Sequence, residues 1–281
     1  MSSVSSPPAG ELLLVSTPLG NPGDLSPRAR EALSRADAVL AEDTRRTGLL
    51  LAGCGISARR LISFHEHNED ERLPGLLEEL AQGRSLALVS DAGTPLLADP
   101  GYALTRACRA AGFKVTVLPG PCAAVAALTA SGMPPQPFVF LGFPPRRPGD
   151  RRHFFAPFAA LQLTLIFYER KDRLRQTMET LLDLGGPREI CLARELTKVH
   201  EEFIFFTLGE WEHLPGDLLG EITAVAGPPL SHKRLAEEDV RAMIAALRRQ
   251  NPDTLKPRDL LRQIRAQAPG WSATEIYRLL R

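Results

Sequence analysis

Four short segments of this 281-residue chain combine glycine, proline and hydrogen-bonding side chains in a way that suits a small-molecule site. They are Ser16-Thr17-Pro18-Leu19-Gly20-Asn21, Ala41-Glu42-Asp43-Thr44-Arg45, Ser90-Asp91-Ala92-Gly93-Thr94-Pro95 and Leu118-Pro119-Gly120-Pro121-Cys122-Ala123. Glycine opens backbone conformations closed to other residues and lets main chain approach a ligand, while proline fixes the turn. Any one segment alone is ordinary turn chemistry. Each follows an apolar run of strand length, however, and parallel sheets bind ligands outside the carboxyl ends of their strands. Four such loops at one sheet edge point to a shared site. Nucleotide signatures do not explain them: Gly53-Cys54-Gly55-Ile56-Ser57-Ala58 approximates a dinucleotide fingerprint but follows a helical stretch, and no Walker A string is present. His65-Glu66-His67 has metal-ligand spacing, yet Asn68, Glu69 and Asp70 follow with no suitable third ligand, so no metal is expected.

The elements that must carry these loops are legible from periodicity. Leu12–Ser16, Asp37–Ala41, Ser85–Ser90 and Lys114–Leu118 read as strands. Ser26-Pro27 reads as an N-cap followed by proline at the first helical position, opening a helix that runs to Ala36. Asp70–Gln82, Tyr102–Ala111 and Ala123–Ser131 have helical spacing. Strand–helix alternation of this kind predicts a parallel sheet covered on both faces. The string Met133-Pro134-Pro135-Gln136-Pro137 interrupts it. Beyond it, Phe138–Gly142, Leu163–Glu169, Glu189–Arg194, Glu202–Thr207 and Gly220–Val225 read as strands of a second sheet. The last two lack a long intervening helix, which predicts a mixed sheet. Glu237–Arg249, Leu255–Gln267 and Ala273–Arg281 read as helices, the last with a Ser272/Glu275 capping box and a Trp271/Ile276 staple. The expected domains are a tail over 1–10, an αβ domain over 11–134, a second over 135–230 and a helical appendage over 231–281.

Composition is that of a folded water-soluble chain: 44% hydrophobic, 24% charged, formal net charge +1. No apolar run approaches the roughly 20 residues of a membrane helix. The Ser/Pro-rich start lacks the basic and apolar regions of a signal peptide. The cysteines at 54, 108, 122 and 191 show no C-x-x-C spacing, so reduced thiols in the cytoplasm are expected. The small net charge hides an asymmetry: residues 1–136 and 137–230 are each at −2, while 231–281 are at +5.

The four loops, together with Asp99-Pro100-Gly101, Phe167-Tyr168-Glu169, Ala193-Arg194-Glu195-Leu196-Thr197-Lys198 and Gly220-Glu221, resemble the tetrapyrrole-methylase superfamily. The likeness covers nearly the whole chain after Gly10. Within the superfamily it is strongest to members that methylate the ribose 2′-oxygen of a cytidine in 16S ribosomal RNA. The resemblance implies two αβ domains of the class III methyltransferase type, S-adenosylmethionine in the cleft between them, and a homodimer. It implies a cofactor pocket from Pro18, Leu19 and Gly20; Asp91, Gly93, Thr94 and Pro95; Cys122 and Ala123; and Tyr168, Leu196 and Glu221. The chemistry would be methyl transfer to oxygen, with the protein aligning oxygen, carbon and sulfur. The hydroxyl must lose a proton, which a carboxylate, lysine or histidine in reach could assist. Glu42, Asp43, Glu169, Glu195 and Lys198 are candidates. Glu195 is favoured because Arg194 and Lys198 flank it; ion pairing between domains is the alternative role.

An RNA substrate needs cations. Pro144–His153 packs four arginines around a Pro-Gly turn, and the C-terminal region has helices joined by Ala268-Pro269-Gly270-Trp271. Both are expected RNA contacts, with ribosomal RNA or the small ribosomal subunit as partner. The competing expectation within the superfamily is a C-methyltransferase acting on a tetrapyrrole such as a precorrin or uroporphyrinogen.

Overall fold

Branched and apolar residues crowd the central strand segments of the first sheet because both faces are covered there, so these strands are apolar on both sides. In the computed structural model, β1 (Glu11–Val15), β2 (Ala38–Ala41), β3 (Leu61–Ser63), β4 (Ser85–Val89) and β5 (Lys114–Leu118) form one sheet in the order β3-β2-β4-β1-β5. Its pairings are parallel: Val15 aligns with Val89 on one side and Leu118 on the other. Residues 10–214, 216, 218–230, 236–250, 260, 261, 263, 264, 268, 271 and 273–280 are described.

The connecting helices are α1 (Pro27–Arg35), α2 (Thr44–Gly53), α3 (Glu69–Ala81), α4 (Tyr102–Ala110) and α5 (Ala123–Ser131). The expected cap of α1 is present: Ser26 Oγ accepts from Ala29 N–H at 3.1 Å, with Pro27 at the first helical position. Two separate cores flank the sheet. Leu33, Val39, Ala87 and Val89 belong to one, and Leu12, Leu40, Leu80, Leu86 and Leu104 to the other. Helix α2 corrects the sequence reading, which sets Asp43–Arg45 in a loop: Asp43 Oδ1 accepts from Arg45 N–H at 2.8 Å and starts the helix.

The second sheet runs β6-β7-β10-β8-β9 through β6 (Phe138–Phe140), β7 (Thr164–Glu169), β8 (Arg188–Arg194), β9 (Glu202–Thr207) and β10 (Ile222–Pro229). It is mixed as expected: β6–β7 is parallel, β7–β10 and β8–β9 antiparallel. Helices α6 (Pro148–Phe155) and α7 (Lys171–Gly185) pack on it. On the opposite side, α5 of the first set meets Ile166, Cys191 and Val225, so the two sheets share a core. Pro228 ends one compact unit, and Pro229 begins another. In the second unit, helices Glu237–Gln250 and Ala273–Leu280 contribute to a cluster of Val240, Ile244, Leu260, Ile264, Ala268, Trp271 and Ile276. The expected staple residues Trp271 and Ile276 are both in that cluster. The Leu255–Gln267 helix and Ser272 fall largely or wholly outside the described residues. No helix among the described residues is long and apolar enough to cross a membrane.

Candidate active site

The loops after β1, β4 and β5 are laced to one another. Thr17 and Gly93 exchange backbone hydrogen bonds (2.8 and 3.1 Å), and Thr17 Oγ1 donates to Ser90 O at 3.1 Å. Thr94 Oγ1 lies 3.2 Å from Ser16 Oγ and donates to Pro121 O at 3.0 Å. Gly120 is required here, because a Cβ would press on Ser16. The loop after β2 is tied to the same frame. Asp91 accepts from Asp43 N–H through Oδ1 (3.2 Å) and from Arg46 Nη1 through Oδ2 (3.2 Å). Glu69 reaches from α3 to the start of α4, accepting from Gly101 N–H (3.3 Å) and Leu104 N–H (3.1 Å).

These loops form one wall of a cavity of about 540 Å³, within the range of cofactor sites. Leu19, Asp91, Gly93, Thr94, Cys122 and Ala123 line it from the first set of elements, and Tyr168 and Glu221 from the second. Pro18 and Pro95 are buried behind this wall. Leu196, 8% exposed, packs in the core cluster beneath Leu19, Cys122 and Tyr168. Gly20 lies outside the cavity against Lys198. The cavity also takes in residues the sequence reading does not name: Leu97, Ala98, Phe143, Arg170, Lys171 and Thr223 among them. The exposed aromatic in Gly142-Phe143-Pro144 is the one signal that could have found Phe143.

Tyr168 joins the two halves. Its ring is 5.0 Å from Phe140 and 5.3 Å from Phe143, and its hydroxyl takes a hydrogen bond from the Ala124 N–H of α5. Burial, with smaller contributions from Cys122 and Asp99, raises its phenol to about 12. Helix α5 begins beside it with no side-chain cap from Cys122, so its first amides face the cavity wall at Ala123. A helix N-terminus of this kind favours a carboxylate or phosphate.

Three of the five candidates for the proton transfer are otherwise engaged. Glu169 is 2% exposed, and its carboxylate takes hydrogen bonds from Arg170 N–H (2.9 Å), Arg173 Nη2 (3.0 Å) and Thr177 Oγ1 (2.6 Å). Glu195 and Lys198 do not line the cavity. Glu195 Oε1 accepts from Lys198 Nζ (3.1 Å) and Glu221 N–H (3.0 Å), and Lys198 Nζ also reaches Glu221 Oε2 (3.1 Å). The Glu221 backbone bond, followed by Lys198, holds the Glu195 carboxyl below its ordinary range. Burial acts to lower Lys198, but its bonds to Glu195 and Glu221 prevail and its ammonium is raised. These ion pairs lie within the second αβ set, joining the β8–β9 turn to the residue before β10, and do not run between the two sets. A further tie runs to the first loop: Asn21 N–H donates to Thr197 Oγ1 at 3.1 Å.

A different carboxylate stands in the cavity wall. Asp99 is raised to about 7 by burial, then by the charges of Glu42 and Asp91, against a hydrogen bond from Ser90. Glu42 is itself raised, first by burial and then by Asp91. Backbone geometry is unusual on either side of the site. Among the described residues, the non-glycine positions with positive φ are Leu96 (73°), Ala98 (67°), Glu195 (50°) and Thr197 (64°). The His65 and His67 rings meet edge to face with centroids 6.0 Å apart, and His65 Nε2 meets Asn68 Nδ2 at 3.1 Å. Of the Arg-rich stretch, Pro148 onward is α6 rather than a loop. Arg151 is buried, donating to Thr180 Oγ1 (3.2 Å) and Arg146 O (3.3 Å), so it is unavailable to RNA.

Residues 11–212 match the tetrapyrrole (corrin/porphyrin) methylases. The chain belongs to that family. Family members similar to it include the ribosomal RNA small subunit methyltransferase I of Escherichia coli O157:H7, 47% identical over 76% of this chain and 71% of the relative. The protein of the same name from Mycobacterium tuberculosis H37Rv is 39% identical over 96% and 94% of the two chains. Among solved family structures, uroporphyrin-III-C-methyltransferase from Thermus thermophilus is 25% identical, with a TM-score of 0.54 over 78% of this chain and 94% of that one. The methyltransferase CobJ shares the fold at 21% identity, TM-score 0.60, over 82% and 97%.

Proposed function

We propose that this chain transfers the methyl group of S-adenosylmethionine to the 2′-oxygen of a cytidine ribose in 16S ribosomal RNA. The observation that carries the reading is the 39% identity over 96% of the chain to a small-subunit ribosomal RNA methyltransferase. The cavity supports the cofactor. The start of α5, where Cys122 supplies no side-chain cap and Tyr168 takes only the Ala124 N–H, suits a carboxylate, Tyr168 and Leu19 offer apolar faces for an adenine, and the polar edges of the laced loops suit an ammonium and a ribose diol. The structure of a uroporphyrin-III C-methyltransferase complexed with S-adenyl homocysteine has the same fold, at a TM-score of 0.56. The bound sulfonium would supply the electrophilic methyl. The chain's own residues would hold the two reactants in line and exclude water.

An RNA backbone needs an open mouth with stacking and cationic groups. Phe143 is 55% exposed at the rim, where Leu97 and Lys171 also stand. The +5 charge of residues 231–281 would hold RNA phosphates. The reading includes a homodimer, supported by apolar side chains left open at Val117 on edge strand β5 and Val125 on α5, and action in the cytoplasm on the small subunit. Incubation with labelled S-adenosylmethionine and undermethylated small subunits, followed by mapping of 2′-O-methyl positions, tests the whole. A single labelled cytidine is expected. Methylation of a uroporphyrinogen or precorrin in place of RNA would replace this reading with the tetrapyrrole one.

A further inference from the structure

Ribose O-methylation needs a group to take the 2′-hydroxyl proton, and few side chains of the cavity are free to do so. Asp91 uses both oxygens, one on Asp43 N–H and one on Arg46. Glu169 is held by three donors within its own turn of chain. Glu221 is paired with Lys198, and Asp172 with Arg170 at 3.1 Å. The Tyr168 phenol accepts from Ala124 N–H and is far too weak an acid to be ionised near neutrality. Arg170 and Lys171 bring basic side chains to the wall, not a carboxylate.

Asp99 remains. It lies in the cavity wall on the loop between β4 and α4, between left-handed Ala98 and Pro100, with Gly101 also left-handed. Three such constraints within four residues leave little freedom for the backbone that carries the carboxylate. The groups that act on it come from two strand ends, Glu42 after β2 and Asp91 with the Ser90 hydroxyl after β4, and its own charge acts on Tyr168 of β7. Arg46 is drawn off by Asp91.

We propose that Asp99 is the general base, its carboxylate accepting the ribose 2′-hydroxyl proton as the methyl group moves to that oxygen. The inference rests on the ribose-methylation reading above. The oxygen forms a bond to the methyl carbon, and the carbon–sulfur pair returns to sulfur, leaving a neutral thioether. The hydroxyl proton ends on Asp99, which releases it to solvent before the next turnover. Like charges from Glu42 and Asp91, with burial, raise the carboxyl to about 7, where a base both is ionised at working pH and binds a proton usefully.

Asp99→Asn and Asp99→Glu, compared with wild type, test this on undermethylated small subunits. Expected for the asparagine variant is a fall in kcat of roughly 100-fold or more, with S-adenosylmethionine affinity by calorimetry unchanged within about threefold and glutamate restoring part of the rate. The wild-type rate should fall as pH drops below about 7, and carboxyl 13C NMR of the free protein should show one aspartate titrating there and absent from Asp99→Asn. A wild-type rate in Asp99→Asn overturns the proposal. So does a matching loss of cofactor affinity, which would make Asp99 a ligand of the cofactor ammonium. Wild-type protein that methylates a tetrapyrrole and not the subunit overturns the underlying reading, and is told apart because the wild type itself then lacks the activity.

Discussion

Lys198 lies with its aliphatic stem against the bare Cα of Gly20, so that any Cβ at position 20 would overlap Lys198 Cγ. The ammonium at the far end is fixed by Glu195 and Glu221. The first loop of one sheet is therefore fitted to an ion-paired side chain of the other. Gly20→Ala should cost about 1–3 kcal/mol of stability by overpacking. Lys198→Ala should remove most of that penalty in the double variant. A double-mutant cycle by urea unfolding reads the coupling; strict additivity would show that the two residues do not meet in solution.

Glu195→Gln should keep nearly all turnover, since the carboxylate pairs away from the cavity. Its carboxyl is lowered in the fold, so its stabilising contribution is present above the ordinary carboxylate pKa and fades as pH falls through the depressed value. The variant should lose about 1 kcal/mol at pH 7 and show less acid sensitivity than wild type. A hundredfold loss of rate at unchanged stability would return Glu195 to the list of proton acceptors.

Asp99 has the opposite sign. Its carboxyl is raised to about 7 by burial and by Glu42 and Asp91. Ionising it in the fold costs stability that is absent below the unfolded value of about 4, grows between there and 7, and is complete above. Asp99→Asn should melt higher than wild type at pH 8, and the gap should close as pH approaches 4. Equal melting temperatures at pH 8 would place the carboxylate in a more hydrated setting than its position in the wall indicates.

Phe143 offers a face at the rim, supported from behind by Tyr168. Phe143→Ala should raise KM for the ribosomal substrate by roughly 5- to 100-fold, the worth of one stacked base. Cofactor affinity should change little. A variant whose defect is confined to cofactor binding would put the ring against adenine instead.

Removal of residues 231–281 should weaken methylation of subunits and flatten its dependence on salt, because phosphate contacts set that slope. The cut falls just past the boundary between two compact units, so the larger unit should retain S-adenosylmethionine binding. Undiminished activity with an unchanged salt slope would free the tail of any role in holding RNA.

Most strands were legible because their apolar runs are four to eight residues long and bounded by Gly and Pro. β3, three residues at a sheet edge with Leu61 exposed, carries no such pattern. Helix α7 did carry one, in Leu174, Met178 and Leu181, which reading strand to strand passes over. In the site, Leu19, Asp91, Gly93, Thr94, Cys122, Ala123, Tyr168 and Glu221 were legible as loop chemistry and family strings. The role of Asp99 was not, since its environment is made by Glu42, Asp91 and Ser90, which only the folded sheet edge brings together. Glu195 and Lys198 were legible as a charged pair, but the partner that occupies them, Glu221, lies 26 and 23 residues away.

The left-handed Leu96 and Ala98 set heat resistance against speed within four residues. A non-glycine residue in that conformation forgoes about 1 kcal/mol, and two precede Asp99 within three residues. Glycine at 98 would relieve the backbone of the native state, while giving the next residue room to wander from the wall. A population selected only for survival at high temperature would accept that exchange; one selected for turnover would reverse it. The loop is thus where the two pressures on this chain should leave opposite marks.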